Sequence, residues 1–107
     1  MIAGLRNHAV NLTLVLAGAT PVAAQTLGGA MLGNTCAGCH GPLGASVNTK
    51  IPPLAGQDAA QFTLTMQAYR DGTRQGTIMN RVARAYSDDE IAAMAAYFAS
   101  LPKDQNE

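Results

Sequence analysis

The clearest hydrophobic pattern lies near the C-terminal end of the chain and predicts an amphipathic helix. Apolar residues recur there at helical spacing, at Ile91, Met94, Ala95, Phe98 and Leu101. Ser87 and Glu90 have the spacing of a capping box at the start of this helix. The acidic run 88–90 suits the positive end of the helix dipole, and Pro102 ends the helix.

Two further helices are predicted upstream, and no strand. Asp58 is an N-cap residue for a helix that runs to Arg70 and ends at Asp71-Gly72. Its apolar face is formed by Phe62, Met66 and Tyr69. A third segment, 27–34, contains glycines that weaken a helix, so packing must hold it in place. No run alternates β-branched or aromatic residues with polar ones, so the pattern predicts an all-α fold.

The first 24 residues predict a cleaved secretory signal peptide. Arg6 supplies the basic n-region, residues 10–19 form an apolar h-region, and Val22-Ala23-Ala24 is a small-x-small cleavage site. We expect cleavage after Ala24, a single domain over residues 25–107, and a periplasmic location. An uncleaved membrane anchor is the alternative, but the apolar run is shorter than the roughly 18 residues that a spanning helix needs.

The expected mature chain is small and nearly neutral. Its 83 residues contain six Lys and Arg against seven Asp and Glu, and only five aromatic side chains. Near-neutral charge argues against a nucleic-acid-binding protein, which needs a basic face. A domain of this size buries little apolar area and often needs a covalent or bound group to complete its core.

The segment Cys36-Ala37-Gly38-Cys39-His40 carries the strongest chemical signal of the chain. A Cys-x-x-Cys-His run is the attachment signature of c-type haem. The two thiols form thioethers to the haem vinyl groups, and the next histidine becomes the proximal iron ligand. We therefore predict one haem c, covalent through Cys36 and Cys39, with His40 bound to the iron.

The second axial ligand is predicted to be Met79. The expected mature chain has no second histidine, because His8 lies in the leader. Met66 and Met94 lie on the apolar stripes of predicted helices, and Met31 is too close to the motif to reach the opposite haem face. Met79 lies on a long predicted loop, 72–86, and its soft thioether favours reduced iron.

The other long loop, 41–57, is predicted to orient His40. An iron-bound histidine needs a partner for its second ring nitrogen, and this loop contains Ile51-Pro52-Pro53-Leu54-Ala55-Gly56. We predict that the carbonyl of Pro52 accepts this hydrogen bond and that Leu54 packs on the haem face. An ordinary surface turn is the alternative. Long loops are often functional, and we expect these two to wall the haem crevice.

Four arginines lie near Met79 in the sequence: Arg70, Arg74, Arg81 and Arg84. The functional interpretations are pairing with a haem propionate or docking to an acidic partner. The ordinary interpretation of any one of them is a solvated charge.

Three other kinds of site compete with this interpretation. A haem sensor or small peroxidase needs an open sixth position, and so requires that Met79 does not bind iron. A structural zinc site needs four ligands, and the expected mature chain offers only Cys36, Cys39 and His40. A thioredoxin-like dithiol lies in a βαβ setting, and no strands are predicted.

Several segments together resemble the class I c-type cytochromes: the motif CAGCH, the loop IPPLAG, the loop methionine and the helix SDDEIAAMAAYF. The resemblance covers residues 28–101. It implies a fold of three to four helices wrapped around one covalent haem. It also implies that the first and last helices cross closely, with Gly28, Leu32 and Tyr97 at the matching positions.

Residues 36–46 and 77–87 further resemble the haem subunit of flavocytochrome c sulfide dehydrogenase. That likeness implies an electron-transfer protein, not an enzyme by itself, which accepts electrons from an FAD-containing flavoprotein that oxidises sulfide. The best-known members carry two haems on a longer chain, whereas this sequence has one CxxCH motif. A free, soluble mono-haem electron shuttle to a terminal oxidase or another carrier is therefore the alternative.

Overall fold

The computed structural model describes residues 28–103 together with Gly18. Within this range lie α1 (Gly29–Asn34), α2 (Ala37–His40), α3 (Ala59–Asp71), α4 (Met79–Ala83) and α5 (Asp88–Ser100). A single 3-10 turn, Pro42–Gly44, follows α2. These residues contain no strand, which confirms the all-α prediction. The predicted signal peptide and its cleavage site lie outside the described residues.

Side-chain caps fix the starts of the two long helices where the sequence predicted them. Ser87 Oγ accepts a hydrogen bond from the Glu90 amide at 3.2 Å, and Glu90 Oε1 accepts one from the Ser87 amide at 3.3 Å. Asp58 Oδ1 accepts from the Gln61 amide at 2.9 Å. α3 ends at Gly72, whose φ of 81° places it in the left-handed region.

The hydrophobic core lies where α1, α3 and α5 meet. Ile91, Met94 and Phe98 of α5 are at most 1% exposed, and the Phe62 ring of α3 lies 5.6 Å from the Phe98 ring. Leu32 of α1 is buried against the same cluster. Within the described part of the chain, no helix is long and apolar enough to cross a lipid bilayer.

The crossing of α1 and α5 uses Gly29 and Gly33, so the prediction of Gly28 was wrong by one residue. A Cβ atom at Gly29 would overlap the carbonyl oxygen of Ala93, and one at Gly33 would lie 2.5 Å from Cδ1 of Tyr97. A Cβ atom at Gly28 would have no neighbour within 4 Å. Gly28 is the N-cap of α1, so it precedes the helical face that contacts Tyr97.

The two predicted loops contain short helices that periodicity does not detect. Met79, predicted to lie on a loop, is instead the first residue of α4, which has only five residues. No side chain caps α4, and a helix of this length shows too little of the helical repeat to be recognised from sequence. α2 lies within the CAGCH motif, and the 3-10 turn lies just after it. Both are likewise too short for hydrophobic periodicity to reveal.

Candidate haem attachment site

The CAGCH motif forms one helical turn. The His40 amide donates to the Cys36 carbonyl at 2.9 Å, and the Gly41 amide donates to the Ala37 carbonyl at 3.0 Å. Residues three and four apart lie on one face of a helix, so Cys36, Cys39 and His40 share a side of this turn. Cys36 is half-buried, Cys39 is exposed, and neither thiol is in a disulfide.

His40 is held by the hydrogen bond that the sequence predicted. Its imidazole is 9% exposed, and its Nδ1 lies 2.7 Å from the carbonyl oxygen of Pro52. A carbonyl can only accept, so Nδ1 is the donor, and in the neutral imidazole Nε2 then has a free lone pair. No other hydrogen bond to the His40 ring is found among residues 28–103. Held in this way, the neutral imidazole can bind a metal through Nε2.

The loop that carries Pro52 is tied to the core at both ends. The amides of Leu54 and Ala55 both donate to the Gly44 carbonyl, at 2.8 and 3.2 Å. Gly44 has a φ of 71°, and a Cβ atom there would lie 2.9 Å from the Phe98 ring. Only glycine fits this close approach. Leu54 is buried in the core cluster, so the Pro52 carbonyl is held on a fixed backbone.

Asn80 fixes the position of Met79, a role that the sequence pattern did not indicate. Its Nδ2 donates to the carbonyls of Tyr69 at 2.9 Å and Arg74 at 2.7 Å, and its Oδ1 accepts from the Gly76 amide at 2.9 Å. These bonds hold the loop before α4 against α3. Met79 is half-buried and packs against the core cluster. The only feature of the sequence that could have indicated this role is an amide side chain within a predicted loop that contains glycine.

A second unpredicted contact joins the haem attachment motif to the chain that follows α4. Thr35, which directly precedes Cys36, has its Oγ1 2.6 Å from the hydroxyl of Tyr86. Cys36, Met79 and Tyr86 all pack against the same core cluster. The structure therefore brings the attachment motif and the methionine segment onto one core.

The thiol of Cys36 is not activated. Burial raises the pKa of Cys36 above its ordinary value; the Thr35 hydroxyl opposes this shift and Cys39 adds to it. Redox-active dithiols have the opposite property, a lowered pKa. Among the described residues there is also no group of three or more His, Cys, Asp and Glu arranged to hold a metal ion.

The four arginines have different surroundings. Arg70 Nη2 lies 2.7 Å from Asp88 Oδ1, and its Nε lies 3.6 Å from Asp71 Oδ1. The guanidinium of Arg74 lies 5.0 Å from the centre of the Tyr69 ring. Arg81 and Arg84 are exposed. Arg70 thus links α3 to the start of α5 and belongs to the fold.

The Arg70–Asp88 pair predicts a pH-dependent stability. The Arg70 guanidinium lowers the pKa of Asp88, so the pair stabilises the fold above the unfolded-state pKa of about 4. This contribution is lost as the pH falls through the lowered folded-state value. We expect denaturant unfolding to show Arg70→Gln less stable than the wild type at neutral pH, with the difference shrinking in acid. Arg84→Gln is the control; a pH-independent loss for Arg70→Gln would contradict the assignment.

Two free thiols and a histidine with one free ring nitrogen, all on one helical turn, are the donor set that covalent haem requires. A family model described as Cytochrome c matches residues 25–102. The chain belongs to the cytochrome c family. Haem c in this family is bound covalently through the cysteines of the CxxCH motif, here Cys36 and Cys39. This cytochrome c is accordingly an electron-transfer protein.

Three relatives show how this cytochrome c compares with known members. It is 46% identical over 69 residues to a thiosulfate dehydrogenase electron acceptor from Stutzerimonas stutzeri, covering 62% of this chain and 32% of that protein. It is 41% identical over 69 residues to cytochrome c-554(548) from Halomonas halodenitrificans, covering 62% and 83%. It is 36% identical over 75 residues to the cytochrome subunit of sulfide dehydrogenase from Chlorobaculum tepidum, covering 70% and 67%. The chain thus spans about a third of the first relative's length.

Proposed function

We propose that this cytochrome c is a periplasmic mono-haem electron carrier, exported by a cleaved leader over residues 1–24, whose iron is held by His40 and Met79. The hydrogen bond between His40 Nδ1 and the Pro52 carbonyl, 2.7 Å long, carries the proposal. It leaves Nε2 of this buried imidazole available to bind iron and fixes the orientation of the ring.

Burial supports Met79 over the other methionines as the second axial ligand. Met66 and Met94 are 6% and 0% exposed and serve as core side chains of α3 and α5. Met31 is 61% exposed on α1, five residues before Cys36. Met79 is half-buried and packs against the core cluster, so it is neither enclosed in the core, as Met66 and Met94 are, nor largely exposed, as Met31 is.

The residues around His40 and Met79 keep these two side chains in place and take no part in a chemical reaction. Bound haem c supplies a one-electron iron couple. Gly44 and Leu54 fix the loop that presents the Pro52 carbonyl, and Asn80 fixes the loop before Met79. Ligands held in this way would move little if a bound iron changed charge, and this would favour outer-sphere electron transfer. No side chain is required as a general acid or base.

Replacing Met79 with alanine tests the ligand assignment. We expect the oxidised variant to lose the methionine-to-iron charge-transfer band in the far-red spectrum. Its reduction potential should fall, because a thioether ligand favours the reduced iron. Met31→Ala is the matched control and should keep both properties. A wild-type protein without the band would indicate an open sixth position, as in a haem sensor or small peroxidase, and would overturn the proposal.

The proposed cleavage of the leader after Ala24 has its own test. N-terminal sequencing of the exported protein should give a sequence that begins at Gln25.

We further propose that this cytochrome is the electron-accepting subunit of a flavocytochrome c sulfide dehydrogenase. The support is its similarity to the cytochrome subunit of sulfide dehydrogenase, over two thirds of that protein. Co-purification with an FAD-containing protein and sulfide-dependent reduction of the haem are the expected results. The similarity to cytochrome c-554(548) over 83% of its length supports the alternative, a free soluble shuttle. A monomer reduced only by other electron carriers would favour that alternative.

A further inference from the structure

Tyr86 is held both at its side chain and at its backbone. Its hydroxyl lies 2.6 Å from Oγ1 of Thr35, which directly precedes the haem attachment motif. Its carbonyl accepts a hydrogen bond from Nη1 of Arg70 at 3.4 Å, and its side chain packs against the core cluster. We call residues 76–87, which include α4, the methionine segment. Tyr86 therefore connects the end of this segment both to α3 and to the attachment motif.

The surroundings of Thr35 set the direction of its hydrogen bond with Tyr86. Thr35 Oγ1 donates to the carbonyl of Leu32 at 2.6 Å. A hydroxyl group has a single proton, so Oγ1 accepts from Tyr86 and the tyrosine is the donor. The two bonds run in series from Tyr86 through Thr35 to Leu32, and hydrogen bonds in series strengthen one another. Leu32 is 4% exposed, so the series ends on a core residue of α1.

In the described part of the chain, the Tyr86–Thr35 bond is the one hydrogen bond found between the methionine segment and residues 28–40. Other hydrogen bonds of this segment lead to α3, such as the bond from Asn80 to the carbonyl of Tyr69. A movement of the methionine segment together with α3, away from the attachment motif, would keep those bonds. The same movement would break the bond between Tyr86 and Thr35.

We propose that Tyr86 is a positioning residue that sets how readily Met79 leaves the iron. This inference rests on the proposed function, in which Met79 is the second axial ligand. A haem attached through Cys36 and Cys39 would stay with the attachment motif, so release of Met79 requires the methionine segment to separate from that motif. The hydrogen bond from Tyr86 to Thr35 opposes this separation. It would thereby slow the entry of a foreign ligand at the sixth position of the iron.

Binding of imidazole to the oxidised holoprotein measures this release. A nitrogen of imidazole takes the place of the Met79 sulfur on ferric iron, with no change in oxidation state. At saturating imidazole, the observed rate is limited by the departure of Met79. We expect Tyr86→Phe to raise this limiting rate about fivefold, the factor that corresponds to one hydrogen bond of ordinary net strength. Its far-red methionine band and its reduction potential should match those of the wild type, because Met79 stays bound at equilibrium.

Variants of the acceptor separate the hydrogen bond from other effects of the substitution. Thr35→Val should raise the limiting rate as much as Tyr86→Phe does, whereas Thr35→Ser keeps the hydroxyl and should keep the wild-type rate. Because both substitutions remove the same bond, Tyr86→Phe/Thr35→Val should be no faster than either single variant. Tyr97→Phe is the matched control and should leave the rate unchanged, since no hydrogen bond of the Tyr97 hydroxyl is found among residues 28–103.

Two results would overturn the assignment of Tyr86. One is a limiting rate in Tyr86→Phe equal to that of the wild type. The other is a double variant whose increase is the product of the two single increases, because the two side chains would then act independently. Failure of the proposed function has a different signature. A wild type that lacks the methionine band, and whose imidazole binding rate rises in proportion to imidazole concentration without a limit, would contradict Met79 as the axial ligand.

Discussion

A chain in which Cys36 and Cys39 are both replaced by alanine is expected to carry no covalent haem and to lose its stable tertiary structure. Among residues 28–103 the buried hydrophobic side chains number ten, and three of these are alanines, Ala55, Ala83 and Ala95. A domain of about 80 residues seldom gains enough from such a core to offset the entropy of folding. The haem bound through the two thioethers supplies the missing apolar surface.

Mass spectrometry, acid–acetone extraction and thermal circular dichroism measure this effect. The wild type should retain the mass of one haem after extraction and melt cooperatively, whereas the double variant should do neither. Cys39→Ala leaves one thioether, through the half-buried Cys36. Its thermal stability should lie between those of the wild type and the double variant. A double variant that melts like the wild type would show that the helices are stable without the haem.

Replacing Gly29 with alanine is expected to destabilise the holoprotein by about 3 kcal/mol, at the upper end of the cost of overpacking. Gly to Ala inside a helix normally stabilises it by about 1 kcal/mol. At Gly29 the new Cβ atom would overlap the Ala93 carbonyl and lie 3.1 Å from Cβ of Tyr97. The overlap is with backbone, so α1 and α5 must move apart instead of one side chain rotating.

The adjacent Gly28 is the matched control, because a Cβ atom there would have no neighbour within 4 Å. Gly28→Ala alters only the N-cap, which should cost about 0.5 kcal/mol or less. Gly33→Ala should fall between the two, since the Tyr97 ring that it contacts can shift. Urea unfolding of the three variants gives the comparison. Equal stability of Gly28→Ala and Gly29→Ala would contradict the helix crossing seen in the structure.

The features that sequence predicts well here are local ones. The capping residues Asp58 and Ser87 act on amides three residues away, so their role is contained in a short segment. The CAGCH turn is local in the same way. The Pro52 contact was predictable because a metal-bound histidine needs a partner and a rigid proline loop lies nearby.

The features that sequence misses depend on packing between distant segments. The choice between Gly28 and Gly29 depends on where α1 starts relative to α5, which no pattern within α1 reveals. Asn80 acts through carbonyls 11 and 6 residues away, and its amide is equally suited to solvent. α4 is formed by its contacts with α3, so its five residues carry no helical signature of their own.

The hydrogen bonds on the two sides of the attachment motif span very different lengths of chain. His40 and Pro52 are 12 residues apart, whereas Thr35 and Tyr86 are 51 residues apart. Loop-closure entropy grows with the logarithm of this separation, so closing the longer loop costs about 1 kcal/mol more. The histidine side is thus assembled from a nearly self-contained stretch of chain, whereas the α4 side requires most of the domain to be in place. Assembling the α4 side of the site therefore costs more chain entropy than assembling the histidine side.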